Sequence, residues 1–458
     1  MRRHFNGLVA RFGNNSFARA ATLLVGGAAL AHAITALALP LLSRLYSPDD
    51  FSALAVFNGI FSILTVIVCL RYDIAVSLPA RDDDSVNLFG LAVLVAAIFA
   101  AAIAVPLLIW PTEIGNVLGQ PAIAPYLWLI PVAVFLSATA SAMQNWFIRA
   151  KGFSLIAVSR VTQSVGAVSL QLGAALLKAG PAGLIFGAIC NTGAASLVLG
   201  YGMYRRGIHR SHTPSWTKMR ALAREHRNFP RYSTLEALCN MASIQLPVLM
   251  ISAMIKGPEP GYLLLAITVL QAPMALFGVA IGQVYLSLAP DEYRKGNLAE
   301  FTVNTTAMLV RSGIGPLIAA GIAAPFLFQY VFGDGWQRAG VLLAWMTPWF
   351  IMQFLTSPIS MALAVTGHQP RALILQIFNL VCRTGAVYLA WRAGTGFVAE
   401  AYALSGLVSY FVYYVVVMRT IGAPTLYIAS ALWKNAVTIL LWVMAALASI
   451  GIAQFMFF

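Results

Sequence analysis

Thirteen stretches of this chain stay apolar for about 20 residues or more, and that recurrence limits what it can fold into. A hydrocarbon core about 30 Å thick is crossed by about 20 helical residues at 1.5 Å each. The stretches run approximately over residues 20–42, 51–79, 86–110, 123–148, 153–178, 181–204, 231–255, 261–288, 301–326, 339–366, 370–392, 396–418 and 435–456. Composition agrees: 60% of residues are hydrophobic and 10% charged, against about 25% charged in soluble domains. The predicted fold class is an all-α polytopic membrane protein, with a thirteenth C-terminal helix beyond a set of twelve.

The charge pattern orients the chain. Net charge is +14, from 29 Lys and Arg against 15 Asp and Glu. In a soluble protein such a balance points to nucleic acid. Here the basic residues stand mainly in short connecting segments, which membrane topology explains, so no nucleic-acid partner is expected. Lys and Arg accumulate in cytoplasmic loops. With the N-terminus inside, the inner segments hold Arg2, Arg3, Arg11, Arg19, Arg81, Arg149, Lys151, the basic run in 205–231, Arg294, Lys295, Arg371, Arg419 and Lys434. The outer loops hold Arg44, Lys178, Lys256, Arg338 and Arg392. A cytoplasmic N-terminus follows. The opening MRRHFNGLVARFGNNSFARA is too polar for a cleavable signal, and the first apolar run reads as a retained helix. Cys69, Cys190, Cys239 and Cys382 lie singly in apolar segments, without metal-binding spacing; no cofactor is implied.

Residues 205–230, RRGIHRSHTPSWTKMRALAREHRNFP, form the longest polar stretch and divide the chain near its middle. The predicted organisation is a cytoplasmic segment 1–19, a six-helix lobe 20–204, a basic cytoplasmic linker 205–230, a second six-helix lobe 231–418 and an extra apolar segment 419–458. The lobes read as repeats. LALPLLSRLYSPDDFSALAVFNGI at 37–60 matches IQLPVLMISAMIKGPEPGYLLLAITVL at 244–270, with Pro40 against Pro247 and Pro48 against Pro258. LIPVAVFLSATASAMQNWFIRAKG at 129–152 matches MTPWFIMQFLTSPISMALAVTG at 346–367. Offsets of 207–217 residues across both pairs predict two six-helix repeats running in the same direction, an arrangement used by transporters that rock two bundles around a midplane site.

Several segments resemble the polysaccharide exporters of the MOP flippase superfamily: LLSRLYSPDDF (41–51), LRYDIAVSLP (70–79), FIRAKGFSLIAVSRVTQS (147–164), ALAREHRNFPRYSTLEALCN (221–240), VFGDGWQRAG (331–340) and SPISMALAVTGHQ (357–369). The resemblance covers about twelve helices and most of the chain. It implies two pseudo-symmetric six-helix bundles of MOP/MATE type, arranged in a V around a cavity that opens alternately to cytoplasm and periplasm. It also implies transport of an undecaprenyl-diphosphate-linked glycan across the inner membrane, with membrane lipids and the glycan polymerase and chain-length machinery as partners. Members typically have twelve spans, and the thirteenth here departs from that pattern.

Charges inside spans are the candidate site residues, because each costs about 2.5–3.5 kcal/mol on insertion scales. Arg311 and Arg383 lie roughly 15 Å inside their stretches, Arg71 roughly 12 Å and Arg160 roughly 10 Å. Arginine offers a fork suited to phosphate or uronate, so these four are candidate substrate cations; bonding to carbonyls or acids within a lobe, or anchoring for Arg71, is the other reading. In the second stretch Asn58, Ser62, Thr65, Cys69, Asp73 and Ser77 recur at helical spacing as one polar stripe. Arg71 falls off that stripe, and i,i+2 side chains do not face each other, so no Arg71–Asp73 pair is expected. Related stripes comprise Glu236, Asn240, Ser243 and Pro247; Arg160, Gln163, Ser164 and Gln171; and Gln376, Asn379 and Arg383; Asn304 and Arg311 share a ninth-span face.

Asp73 and Glu236 are candidate coupling acids, able to exchange a proton or sodium ion for substrate movement, or else interhelical partners. The resembled family commonly has an acid near Asp73 but often none at Glu236. His32 reads as a helix residue packed between alanines, and Glu400 as interfacial. Asp82–Asp84 read as solvated acids, not a metal site, and no P-loop is present. Two rival functions remain. A small-molecule antiporter of the same superfamily calls for acids to dominate the cavity, whereas four intramembrane arginines outnumber two clear acids. A membrane glycosyltransferase or glycan polymerase calls for large outer loops, and these are mostly about 4–12 residues. The predicted protein is a non-enzymatic flippase.

Overall fold

The structure, a computed structural model, describes residues 16–206, 215–274, 278–394, 396–425 and 427–457. Residues 1–15 of the predicted N-terminal segment, and 207–214 of the predicted linker, lie outside the described residues. The described elements are helices throughout. In chain order the principal ones are α1 (Ser16–Leu45), α2 (Pro48–Val68), α3 (Asp82–Ile109), α4 (Leu129–Arg149), α5 (Phe153–Leu176), α6 (Pro181–Arg205) and α7 (Trp216–Glu225). They continue as α8 (Thr234–Met254), α9 (Glu259–Pro273), α10 (Val279–Arg294), α11 (Leu298–Leu309), α12 (Gly315–Phe332), α13 (Gln337–Ile359), α14 (Gln369–Arg392), α15 (Val398–Thr420) and α16 (Ala436–Phe457).

Among the described residues, eleven helices are long and apolar enough to cross a membrane. They account for eleven of the thirteen stretches read as spans, including the last, at Ala436–Phe455. The other two are not among them. α4 carries Gln144, Asn145 and Arg149, which lower its hydropathy. The 261–288 stretch includes residues 275–277, which lie outside the described residues; α9 and α10 are described on either side of them. The repeat prolines occupy matching places: Pro40 and Pro247 lie inside α1 and α8, while Pro48 starts α2 and Pro258 caps α9.

The chain divides into two compact units. The first comprises residues 1–37, 61–111 and 125–237; the second comprises 38–60, 112–124 and 238–458. In the first, α5 packs along α6 and α4 packs along both α3 and α6. Tyr72, Leu88, Leu91, Trp146, Phe147, Ile156 and Leu199 form its core, joined by Met219 and Leu222 from α7. Part of the polar 205–230 stretch is thus a helix with its apolar side against this unit. Tyr72 donates from its hydroxyl to the Ala223 carbonyl at 3.3 Å, and the Asn87 amide oxygen accepts the Ser215 backbone N–H at 2.7 Å.

In the second unit α13 packs on α12, α15 and α9, and α16 packs on α12. Close approach depends on small residues. A Cβ on Gly340 of α13 would overlap the Ala324 carbonyl oxygen and stand 3.0 Å from Phe328 Cβ. Backbone blocks relief there, so Gly340→Ala is expected to lower the stability of the purified protein by about 1–3 kcal/mol. Thermal unfolding in detergent checks this; an unchanged midpoint would refute the tight α12–α13 seam.

Candidate functional site

The second apolar stretch does not continue as one helix to residue 79. α2 ends at Val68, and a four-residue helix, Tyr72–Ala75, follows a turn. Leu70 and Arg71 both adopt left-handed backbone, at φ 48° and 61°, a conformation that strains residues bearing a Cβ. The expected continuous stripe from Asn58 to Ser77 is therefore broken at its middle, because helical phase is lost across the turn.

Asp73 is buried in the short helix, and its Oδ2 accepts the Ser141 hydroxyl of α4 at 2.6 Å. Arg71 makes no ion pair with it among the described residues. The Arg71 side chain is half-buried, and its Nε is enclosed without an acceptor. The segment after the short helix is braced from α4. Arg149 donates through Nε to the Pro79 carbonyl and through Nη2 to the Ala80 carbonyl, both at 2.8 Å, and pairs with Asp82. Asp83 pairs with Lys218 of α7. Asp82, Asp83 and Asp84 occupy the first turn of α3, where acids complement the helix dipole.

Elsewhere in the first unit Arg160 is half-buried within electrostatic reach of His32. Glu236 lies in the first turn of α8, exposed, after a π-helical turn at Phe229–Ser233.

The second unit holds Arg311 and Arg383, in contrasting settings. Arg311 lies on a π turn, Val310–Ile314, that joins α11 to α12. Glu300, Asn304, Met308 and Arg311 are exposed at spacings of three and four, forming one strip. No hydrogen bond or ion pair engages the Arg311 side chain among the described residues. Arg383 is the opposite: it is 1% exposed in the middle of α14. Its guanidinium lies 4.5 Å from the Trp349 ring centroid of α13, and 5.4 and 6.0 Å from the Tyr410 and Tyr402 rings of α15. Gln376 and Asn379 precede it on the same face of α14.

One charged cluster escaped the sequence reading. Arg338 at the start of α13 donates from Nη2 to Glu259 Oε1 and from Nη1 to Glu400 Oε1, both at 2.7 Å. Its Nε also donates to Glu259 Oε1 at 3.1 Å. Glu400 is 3% exposed, and its Oε2 has no donor. The partners come from α9, α13 and α15, far apart in sequence, so no spacing rule joins them; an acid placed inside the first turn of an apolar helix is the one available signal.

Residues 41–340, most of the chain, match the model of a family described as "Polysaccharide biosynthesis protein". The fold is similar to an inward-facing multidrug resistance MATE family transporter of the MOP superfamily, with TM-score 0.62 and 17% identity over 88% of this chain and 94% of that one. The crystal structure of a MATE mutant aligns with TM-score 0.59 and 15% identity, over 88% and 96%. Uncharacterized proteins from two Mycobacterium tuberculosis strains are 29% identical over 102 residues, 20% of this chain. The chain spans about a fifth, 21%, of the length of those relatives.

Proposed function

Because the chain belongs to the family of polysaccharide biosynthesis proteins, we propose that it is a flippase for an undecaprenyl-diphosphate-linked oligosaccharide, such as an O-antigen, exopolysaccharide or capsule repeat unit. It carries this lipid from the cytoplasmic to the periplasmic leaflet of the inner membrane by alternating access, with its N-terminus in the cytoplasm. The observation that carries the reading is the conjunction, on one chain, of a polysaccharide-biosynthesis family match and the fold of MOP-superfamily transporters.

Physical arguments support the assignment of roles. A diphosphate head cannot cross hydrocarbon without compensation for its charge. Arg311 supplies an exposed cation within a span, unpaired among the described residues, and a guanidinium fork matches phosphate oxygens. Arg160 and Arg71, both half-buried, are on this reading additional substrate cations. Asp73 and Glu236 are assigned to coupling with H+ or Na+. Translocation makes and breaks no covalent bond, so the reading needs no catalytic residue. The polyprenyl tail stays in lipid.

Complementation tests this. Expressed in flippase-deficient strains with different glycan pathways, the chain is expected to restore surface glycan in at least one and to clear its lipid-linked intermediate from the cytoplasmic leaflet. Failure in all of them, with expulsion of cationic dyes, would replace this reading with the small-molecule antiporter.

A further inference from the structure

α7 stands where spans of the first unit end. It packs against α3, meeting the start of that helix at Asp83 and Asn87. α3 has 28 residues, so it is about 42 Å long at 1.5 Å per residue. A hydrocarbon core is about 30 Å thick, so α3 reaches into the headgroup layer. The end that meets α7 is the charged one, with Asp82, Asp83 and Asp84 in its first turn. Arg149, in the last turn of α4, pairs with Asp82 there. Arg206, which caps the end of α6, lies 5.0 Å over the Phe147 ring of α4. Three spans therefore finish at this end of the unit.

The orientation of α7 is fixed. Met219 and Leu222 are buried in the core of the unit. Lys218 pairs with Asp83, the Tyr72 hydroxyl donates to the Ala223 carbonyl at 3.3 Å, and the Ser215 N–H donates to the Asn87 amide oxygen at 2.7 Å. The apolar side of the helix is thus spent on the protein and does not enter lipid. What it turns outward is basic. Between Ser215 and Ser233 five Lys and Arg stand against one acid, Glu225. Arg220 and Arg224, one helical turn apart, are both exposed and make no ion pair or hydrogen bond among the described residues. Like charges at that spacing destabilise a helix, and the nearby Asp82 and Asp83 are committed to Arg149 and Lys218. Trp216 and Tyr232 flank the stretch, both exposed, and such amphipathic rings suit the headgroup level. A topological signal needs only basic residues in number. A packed helix that presents two unpaired guanidinium groups beside the ends of three spans offers a surface as well.

We propose that the outward face of α7, centred on Arg220 and Arg224, is a docking surface for anionic phospholipid headgroups of the leaflet that this end of the unit meets. Each guanidinium offers a fork to phosphate oxygens, and a headgroup between the two relieves their mutual repulsion. The surface is separate from Arg311, Arg160 and Arg71 and does not rest on their assignment to the transported lipid.

The test uses the purified full-length chain in a neutral detergent, titrated with phosphatidylglycerol or with equal amounts of phosphatidylcholine. Wild type is expected to show a saturable rise in unfolding temperature with phosphatidylglycerol alone, since a ligand of the folded state stabilises it by mass action. Arg220→Gln/Arg224→Gln is expected to weaken the apparent affinity about tenfold. Arg220→Lys/Arg224→Lys keeps both charges and is expected to retain most of the affinity, which separates loss of charge from loss of fold. Lys178→Gln/Arg392→Gln removes two exposed cations elsewhere and is expected to leave the affinity unchanged. In nanodiscs of equal phosphatidylglycerol and phosphatidylcholine, the lipids that wild type retains are expected to be enriched in phosphatidylglycerol, with the enrichment lost in the glutamine pair. An equal response to both lipids, wild-type affinity in Arg220→Gln/Arg224→Gln, or an equal loss in Lys178→Gln/Arg392→Gln would overturn the proposal. So would an equal shift with soluble glycerol phosphate, which would make the ligand a free phosphate, or with polyglutamate, which would point to an acidic protein. None of these readouts depends on flipping, so they stand apart from the complementation result.

Discussion

Arg338→Leu is expected to destabilise the second unit by about 3 kcal/mol, the cost typical of removing one partner from a buried charge pair. The geometry explains why the loss is large. Among the described residues Arg338 is the one cation paired with Glu400, whose side chain is 4% exposed, and Glu400 Oε2 lacks a donor even in the intact cluster. Without the guanidinium, both carboxylate oxygens of the buried Glu400 are left without a donor among the described residues, which carries the desolvation penalty of an unsatisfied buried polar group. Glu259, at 16% side-chain exposure, is better hydrated and contributes less to the loss. The double variant Arg338→Leu/Glu400→Leu is expected to recover more than half of the stability, because an apolar pair of matching volume replaces an orphaned charge. Thermal unfolding and the monodisperse yield of the single and double variants measure both effects. Equal stability of Arg338→Leu and wild type would show that solvent already screens the cluster.

Arg311→Gln is expected to leave folding intact and to reduce flipping by about tenfold to a hundredfold. The first part follows from its exposure and its lack of partners among the described residues, since surface substitutions of that kind change stability by about 0.5 kcal/mol or less. The second follows from the proposed function: a hydrogen bond to a charged phosphate contributes about 1.5–3 kcal/mol, which corresponds to that range of rates. Arg311→Lys is expected to retain part of the activity, because it keeps the charge but not the fork. Accumulation of lipid-linked intermediate in complemented cells is the measure. Wild-type flipping by Arg311→Gln would remove Arg311 from the substrate path.

Much of the fold was legible because hydrophobic runs of span length carry an unambiguous signal. Prolines at 40, 48, 247 and 258 exposed the repeat and stand at corresponding places in the helices. The break after Val68 was not legible: nothing in CLRYD requires a turn, and Leu70 and Arg71 take left-handed backbone that their side chains disfavour. Tertiary bracing from Arg149 to the Pro79 and Ala80 carbonyls lies nearby, 70 residues away in sequence for Pro79. Depth along a helix singles out Arg311 and Arg383, but depth does not say which way a side chain faces. Arg311 is exposed and Arg383 is enclosed by aromatic residues of two other helices, a distinction set by packing. For the same reason the Arg338 cluster, drawn from three helices, had no local signature.

The π turn at Val310–Ile314 has a consequence for the chain's tolerance of length changes. A π turn holds one more amino acid than the α-helical turn it replaces, and each residue of an α-helix rotates the phase by about 100°. Everything after Ile314, including Gly315 against the Trp442 indole, is seated by that surplus residue. Deleting a single amino acid here would straighten the rod and swing the whole of α12 about a quarter turn, carrying its Gly315 and Gly321 contacts off Trp442 and Thr347. The locus that displays Arg311 is therefore also a register lock, in which one codon sets the azimuth of an entire helix.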